Sequence, residues 1–342
     1  PISAPTSADA AREIPLGRQT AIIDILAMAF PVRTLDNGGS NLGGLVMKVG
    51  FIGVGHMGGP MCRNIIKGGH EVLVYDLSEA AVQACVEVGG IAGGSIADVA
   101  SQVEVVMTSL PMPRDVEAAA LGPGGIGESA KPGTIYVDLS TNSPAMMRKI
   151  AAELATKDIP TLDGPVSGGV VGAEKGTIAI MVGGERAMFE RCLPVFESFG
   201  ENIIHTGELG SGCVAKICNN MVAFTNMTAG AEGLMLGVAA GIDPVILDQV
   251  IRNSSGNSMS YRGVAKAALE RDFKPAFTVD LAYKDLRLAL ELADDLDMPL
   301  LLGPQVHNIM RMARGKDGGG DNVTAVLKVY EAIMGQQVGP AK

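Results

Sequence analysis

Lys48-Val49-Gly50-Phe51-Ile52 is a short apolar run that passes without a break into Gly53-Val54-Gly55-His56-Met57-Gly58. A helical pattern through Met61, Ile65 and Ile66 follows. A second apolar run, Glu71-Val72-Leu73-Val74-Tyr75, ends at Asp76. Strand, glycine loop, helix, strand and terminal acid stand in the order that gives a G-x-G-x-x-G pattern its meaning. The first glycine permits a tight turn, the second lets backbone approach a pyrophosphate, and the third lets helix and strand pack closely. The helix start then offers unpaired N–H groups and a partial positive charge to that anion. Asp76 lies 23 residues after Gly53 (76 − 53), near the offset of a ribose-binding acid. A carboxylate there accepts from a 2′-OH and repels a 2′-phosphate, and no arginine stands in Leu77-Ser78-Glu79. The reading is NAD in preference to NADP. A helix-capping aspartate is the plainer alternative, and the two are compatible.

Working outward, strands and helices keep alternating. Residues 103–109 form a buried strand that ends at Leu110-Pro111, and residues 134–138 form another, followed by Leu139-Ser140-Thr141-Asn142-Ser143-Pro144. In an open parallel sheet, ligands gather beyond the carboxyl ends of the strands, where Leu110-Pro111 and Ser140-Thr141 stand. Ser143-Pro144 reads simply as the start of a helix over 145–155. Next comes Asp163-Gly164-Pro165-Val166-Ser167-Gly168-Gly169, read as a loop. Its consecutive glycine N–H groups and the Ser167 hydroxyl make either an anion nest or a merely flexible turn. Residues 177–182 and 202–205 close the strand series. The expected N-terminal architecture is a Rossmann-type doubly wound α/β sheet.

After Gly207 the strand signals stop. Gly207-Glu208-Leu209-Gly210-Ser211-Gly212 leads into a helical pattern over 211–240 that ends at Gly241. Lys216 and Asn220, at i and i+4, share one face of it, and such residues are poor choices for an apolar wall unless something polar binds there. The pattern is apolar on most faces, through Met221, Met227, Leu234 and Met235, so the helix is expected to be buried all round, in part against another subunit. Helical patterns continue at 244–253, 258–270, 281–296, 304–314 and 322–335. The expected organisation is an extension (1–46), a cofactor-binding sheet domain (47–209) and an all-α domain (210–336) joined through the long helix. Lys284-Asp285, near a helix start, reads by itself as a solvated pair.

Bulk properties narrow the field. With 342 residues, 47% hydrophobic and 19% charged, the chain can bury two cores. Net charge is −10 with no basic cluster, which argues against a nucleic-acid partner. No apolar run approaches membrane-spanning length. Cys62, Cys85, Cys192, Cys213 and Cys218 are scattered, and His56, His70, His205 and His307 show no ligand spacing. The cysteines read as buried thiols in a reducing, cytoplasmic compartment, and no metal site is expected. Residues 1–46 carry four prolines and a Gly/Asn tract, lack the basic start of a secretory signal, and read as lying outside the fold, with Met47 as its first residue.

Four of these motifs recur in the same order in the β-hydroxyacid dehydrogenase family, and the chain from Met47 onward resembles its 3-hydroxyisobutyrate dehydrogenase branch. They are G-V-G-H-M-G at Gly53, D-G-P-V-S-G-G at Asp163, G-S-G-C-V-A-K-I-C-N-N at Gly210, and K-D at Lys284. The resemblance implies that Gly53, Val54, Gly55, His56, Met57, Gly58, Asp76, Leu110, Pro111, Thr141 and Lys284 contact NAD(P). It implies that Ser167, Gly168, Gly169 and Asn220 hold a small hydroxy acid, and that Lys216 is catalytic. His56 stands where the family commonly has asparagine, and Gly164 where it has alanine; neither removes a reacting group. A homodimer or homotetramer is expected. Substrate identity stays open among 3-hydroxyisobutyrate, glycerate, 4-hydroxybutyrate and other short hydroxy acids. A phosphogluconate enzyme would need a basic pocket, an imine reductase would be expected to lack the lysine, and a non-catalytic NAD-binding module would have no use for Lys216, Asn220 and Lys284 together.

Overall fold

Apolar strands rich in β-branched residues build one nine-stranded sheet among the described residues, which in this computed structural model are 46–315 and 317–339. The proposed extension thus lies, save Val46, outside the described residues. The strands are β1 (Lys48–Ile52), β2 (Glu71–Tyr75), β3 (Ile91–Ala92), β4 (Val105–Thr108), β5 (Ile135–Asp138), β6 (Thr161–Asp163), β7 (Val166–Ser167), β8 (Ile178–Gly183) and β9 (Gly200–Gly207). β3-β2-β1-β4-β5-β6 run parallel in that order. This is the strand order of a dinucleotide fold, with its switch point between β1 and β4. β8 then pairs antiparallel with β6 and β7 and parallel with β9.

Helices cover both faces: α1 (Gly58–Lys67), α2 (Glu79–Val86), α3 (Ile96–Ala100), α4 (Pro113–Leu121), α5 (Ile126–Ser129), α6 (Pro144–Ala155), α7 (Gly169–Lys175) and α8 (Arg186–Phe196). Side-chain alternation along the strands sends Val49, Phe51, Val105 and Met107 toward α1 and α8, and Ile52, Val106 and Tyr136 toward α3, α4 and α6. With both faces covered, the strands read as continuous apolar runs. Ser143 caps α6 through a 3.1 Å bond from the Met146 N–H, with Pro144 in the first turn, as expected.

The long helix is α9 (Ser211–Ala239), and Gly241 follows its end at φ 91°, a left-handed residue that stops it. After it come α10 (Pro244–Arg252), α11 (Met259–Glu270), α12 (Val279–Asp295), α13 (Gly303–Arg314) and α14 (Leu327–Met334), the last preceded by a short 3₁₀ turn over Val323–Val326. Phe224, Met227, Ala231 and Leu234 of α9 form a second core with Tyr261, Leu286, Met310 and Leu327.

Within one chain α9 keeps an open stripe, with Val222 and Leu236 54% and 72% exposed, because the neighbouring helices wrap only part of its circumference; this is the part of the helix expected to meet another subunit. Two expectations need correction. Cys218, one turn before Val222, is exposed, whereas the other four thiols are buried as expected. The Asp163–Gly169 segment is not simply a loop. It holds the end of β6, the two-residue strand β7 and the first residue of α7. Two-residue strands carry too little periodicity to be seen in sequence.

Candidate active site

At the β1 carboxyl end, the three glycines of the loop do different things. Gly53 is left-handed at φ 89°, and a Cβ there would lie 2.5 Å from the Ser109 carbonyl. At Gly58 a Cβ would fall 1.9 Å from the Gly53 carbonyl, so helix and turn touch backbone to backbone. Gly55 faces open space and is exposed together with His56, while Val54 is buried and Met57 half-buried. No side chain caps α1, so its first N–H groups face that opening. Asp76 is not the cap of the next helix; Ser78 is. The Asp76 carboxylate instead accepts from the Val54 N–H at 2.7 Å and the Ser78 N–H at 2.8 Å, tying the glycine loop to the end of β2.

Beyond β4 and β5 lies a buried polar network that the sequence reading missed. Asp138 accepts from the Thr108 hydroxyl at 2.9 Å, the Ser140 N–H at 3.1 Å and the Asn142 amide at 3.1 Å. Burial pushes its carboxyl above the usual range, and those donors pull it back. Ser140 in turn accepts the Leu110 N–H at 2.9 Å, which fixes the Leu110-Pro111 turn beside Thr141. The detectable signal was an acid at the end of an otherwise apolar strand.

Lys284 bridges these turns to the helices. Its amine donates to the Thr141 carbonyl at 3.0 Å and the Pro111 carbonyl at 3.3 Å. It also lies 3.1 Å from Asp285 Oδ1, in an ion pair not aligned as a hydrogen bond. The pair is therefore not solvated: Asp285 is fully buried and Lys284 nearly so. Asp285 Oδ2 accepts from the Asn220 amide at 2.6 Å, so α12 and α9 are joined by a buried hydrogen bond. Asp285 has no assigned role in the sequence reading. It stands on the buried stripe of Ala282, Leu286, Ala289 and Ala293, and a charge at helical spacing inside such a stripe was the available clue.

Lys216 and Asn220 both face inward, one turn apart, each less than one-tenth exposed. Burial lowers the Lys216 amine to about 8; the Asp285 carboxylate opposes that shift and the Lys284 charge adds to it. A buried amine near neutrality can accept and return a proton.

Ser167, Gly168 and Gly169 lie on β7 and the start of α7. Ser167 is half-buried, both glycines are exposed, and no hydrogen bond of the described residues joins them to Lys216 or Asn220. Gly168 (φ 140°) and Gly169 (φ 65°) adopt backbone that favours glycine and open α7. Among the described residues no cluster of His, Cys, Asp and Glu could hold a metal, and no helix is long and apolar enough to cross a membrane.

Comparison with known proteins agrees with this architecture. Residues 48–207 match the family model described as the NAD binding domain of 6-phosphogluconate dehydrogenase. Residues 210–330 match that described as NAD-binding of NADP-dependent 3-hydroxyisobutyrate dehydrogenase. The chain is 40% identical to 2-(hydroxymethyl)glutarate dehydrogenase of Eubacterium barkeri, over 85% of this chain and 97% of that one. It is 36% identical to NAD-dependent L-serine dehydrogenase of Pseudomonas aeruginosa, over 84% and 99%. The crystal structure of 3-hydroxyisobutyrate dehydrogenase from Salmonella typhimurium superposes with a TM-score of 0.77 at 29% identity, covering 83% of this chain and 99% of that one.

Proposed function

Because the chain belongs to the β-hydroxyacid dehydrogenase family, a group of NAD- or NADP-dependent hydroxy-acid oxidoreductases, we propose that it oxidises a short β-hydroxy acid reversibly to the semialdehyde with Lys216 as proton carrier. The three relatives compared above are named for 3-hydroxyisobutyrate, L-serine and 2-(hydroxymethyl)glutarate. All three compounds are primary alcohols one carbon removed from a carboxylate and differ only in the group on the carbon between. The substrate class proposed is therefore a 2-substituted 3-hydroxypropanoate, with 3-hydroxyisobutyrate its simplest aliphatic member.

The residues present fit NAD. Gly55 leaves room for a pyrophosphate before an uncapped helix start, and Asp76 stands at the ribose position with its carboxylate held in place. Leu110, Pro111, Thr141 and Lys284 would line the nicotinamide side. When bound, NAD accepts the hydride that leaves the carbinol carbon. Lys216 Nζ takes the hydroxyl proton as the carbonyl forms and returns it in the reverse direction. Asn220, held at its amide by Asp285, positions the substrate oxygen, and Ser167, Gly168 and Gly169 bind the carboxylate. The observation that carries this reading is the buried Lys216 amine, held near 8 beside Asn220, Asp285 and Lys284.

Two further elements belong to the proposal. The open stripe of α9, which carries the exposed Val222 and Leu236, is covered by a second copy, giving a homodimer or homotetramer. Free thiols with no disulfide suit the cytoplasm. The test is turnover of a panel of 3-hydroxypropanoates with NAD and with NADP, in the parent and in Lys216→Ala. Turnover with NAD that falls by about 10²–10⁴ in the variant, with NADH binding kept, supports the reading. Near-normal turnover by Lys216→Ala overturns it.

A further inference from the structure

The start of α9 is fastened to the sheet by a residue with no role in the reaction so far. Asp163, the last residue of β6, is fully buried, and its two carboxylate oxygens are divided between two N–H groups of the helix start. Oδ1 accepts from Gly210 at 2.7 Å and Oδ2 from Cys213 at 2.7 Å. Gly210 is left-handed at φ 92° and has no side chain to cap the helix it opens. A carboxylate 47 residues earlier in sequence supplies that cap.

Two glycines, one on the helix and one on β8, clear the space at this joint. At Gly212 a Cβ would come within 2.2 Å of the Met181 carbonyl and 2.9 Å of Asp163 Oδ2. At Gly183, the strand partner of Asp163, it would come within 2.5 Å of Asp163 Oδ1 and 2.8 Å of the Ser211 hydroxyl oxygen. The helix start thus rests on backbone of β6 and β8 with no layer of side chains between. A contact of that kind fixes both the height of the helix along its axis and its rotation about it.

Lys216 lies three residues beyond Cys213, a rise of about 4.5 Å along the helix. In the other direction, Asp163 opens the short segment that reaches Ser167 and Gly168 four and five residues later. The two halves of the proposed active site make no hydrogen bond to each other, yet both are anchored to this one residue. We infer that Asp163 is a positioning residue: by capping α9 from the end of β6, it sets the distance between the loop for the substrate carboxylate and the Lys216 amine. The inference rests on the proposed role of Lys216.

The test is a double-mutant cycle on the full chain. Asp163→Asn keeps the size of the side chain but turns one acceptor into a donor facing an N–H. Asp163→Glu keeps both acceptors and the charge while pushing the helix out by one methylene, and serves if the asparagine variant does not fold. The expected result is NADH affinity within about twofold of the parent and kcat lower by about 10²-fold, the scale of a 1 Å misplacement. In a Lys216→Ala background the same change at Asp163 should cost no more than about twofold further, because its effect passes through the lysine. Losses that multiply in the two backgrounds, or unchanged kcat in folded Asp163 variants, overturn the inference while leaving Lys216 in place. Near-normal turnover of Lys216→Ala alone overturns instead the reading on which it rests.

Discussion

Two glycine-rich helix starts in this chain look alike in sequence and are used in opposite ways. α1 begins after Gly53-Val54-Gly55-His56-Met57 with no side-chain cap, and a Cβ at Gly55 would meet nothing within 4 Å. α9 begins after Gly207-Glu208-Leu209-Gly210, and there an internal carboxylate fills the place an anion would take. Both starts present N–H groups that lack partners within the helix, together with the positive end of a helix. What separates them is the neighbour: open space in one case, Asp163 and the Met181 carbonyl in the other. A glycine loop before a helix therefore signals close approach of something to backbone. Whether that something is a ligand or the protein itself is decided by residues far away in sequence.

Substitutions at the two sites sharpen this contrast. The largest effects are expected at Gly58 and Gly212, where a methyl group would sit 1.9 Å and 2.2 Å from carbonyl oxygens. Each alanine variant should lose about 3 kcal/mol or more of stability in denaturant titrations. Gly55→Ala should behave differently: stability within about 0.5 kcal/mol of the parent, but NAD affinity lower by at least about tenfold, read by NADH fluorescence titration. Equal losses of stability at Gly55 and Gly212 would break the distinction between an open and a filled start.

A smaller effect is expected at Asp285, whose carboxylate raises the Lys216 pKa against the dominant pull of burial. Asp285→Asn should move the acid limb of the oxidation rate to lower pH. A shift to higher pH, or none, would show that Asp285 does not act on the amine. A last effect concerns stability and is confined to a pH window. The Lys216 pKa is lowered in the fold from 10.5 to about 8, so between those values the unfolded chain binds more protons than the native one. Stability therefore rises with pH across that window, and below it the buried ammonium costs on the order of 3 kcal/mol. Lys216→Met should raise Tm by a few degrees at pH 7 and lose that advantage near pH 10, as read by calorimetry.

How much of this was legible beforehand follows the same division. The β1–α1–β2 unit, the Ser143 cap and the extent of α9 are local, and spacing of apolar residues, glycines and a proline was enough to place them. So was the shared face of Lys216 and Asn220, which needs only helical periodicity. The partners of those residues were not legible. Asn220 meets Asp285 across 65 residues, and Asp163 meets Gly210 across 47. Neither contact leaves a periodic trace, because each depends on how the helices dock against the sheet. The open stripe of α9 was legible only as a need for cover: apolar composition shows that a helix must be buried, not which of its faces the same chain leaves open.

The central claim is that the proton moves through a buried amine at Lys216. The most direct measurement is the pH dependence of kcat/KM for oxidation of a 3-hydroxypropanoate with NAD. The account predicts a single-proton limb that rises with pH and has its midpoint near 8, where Lys216 becomes neutral. A flat profile across about pH 6.5–9.5, with the chemical step shown to limit the rate, would contradict it.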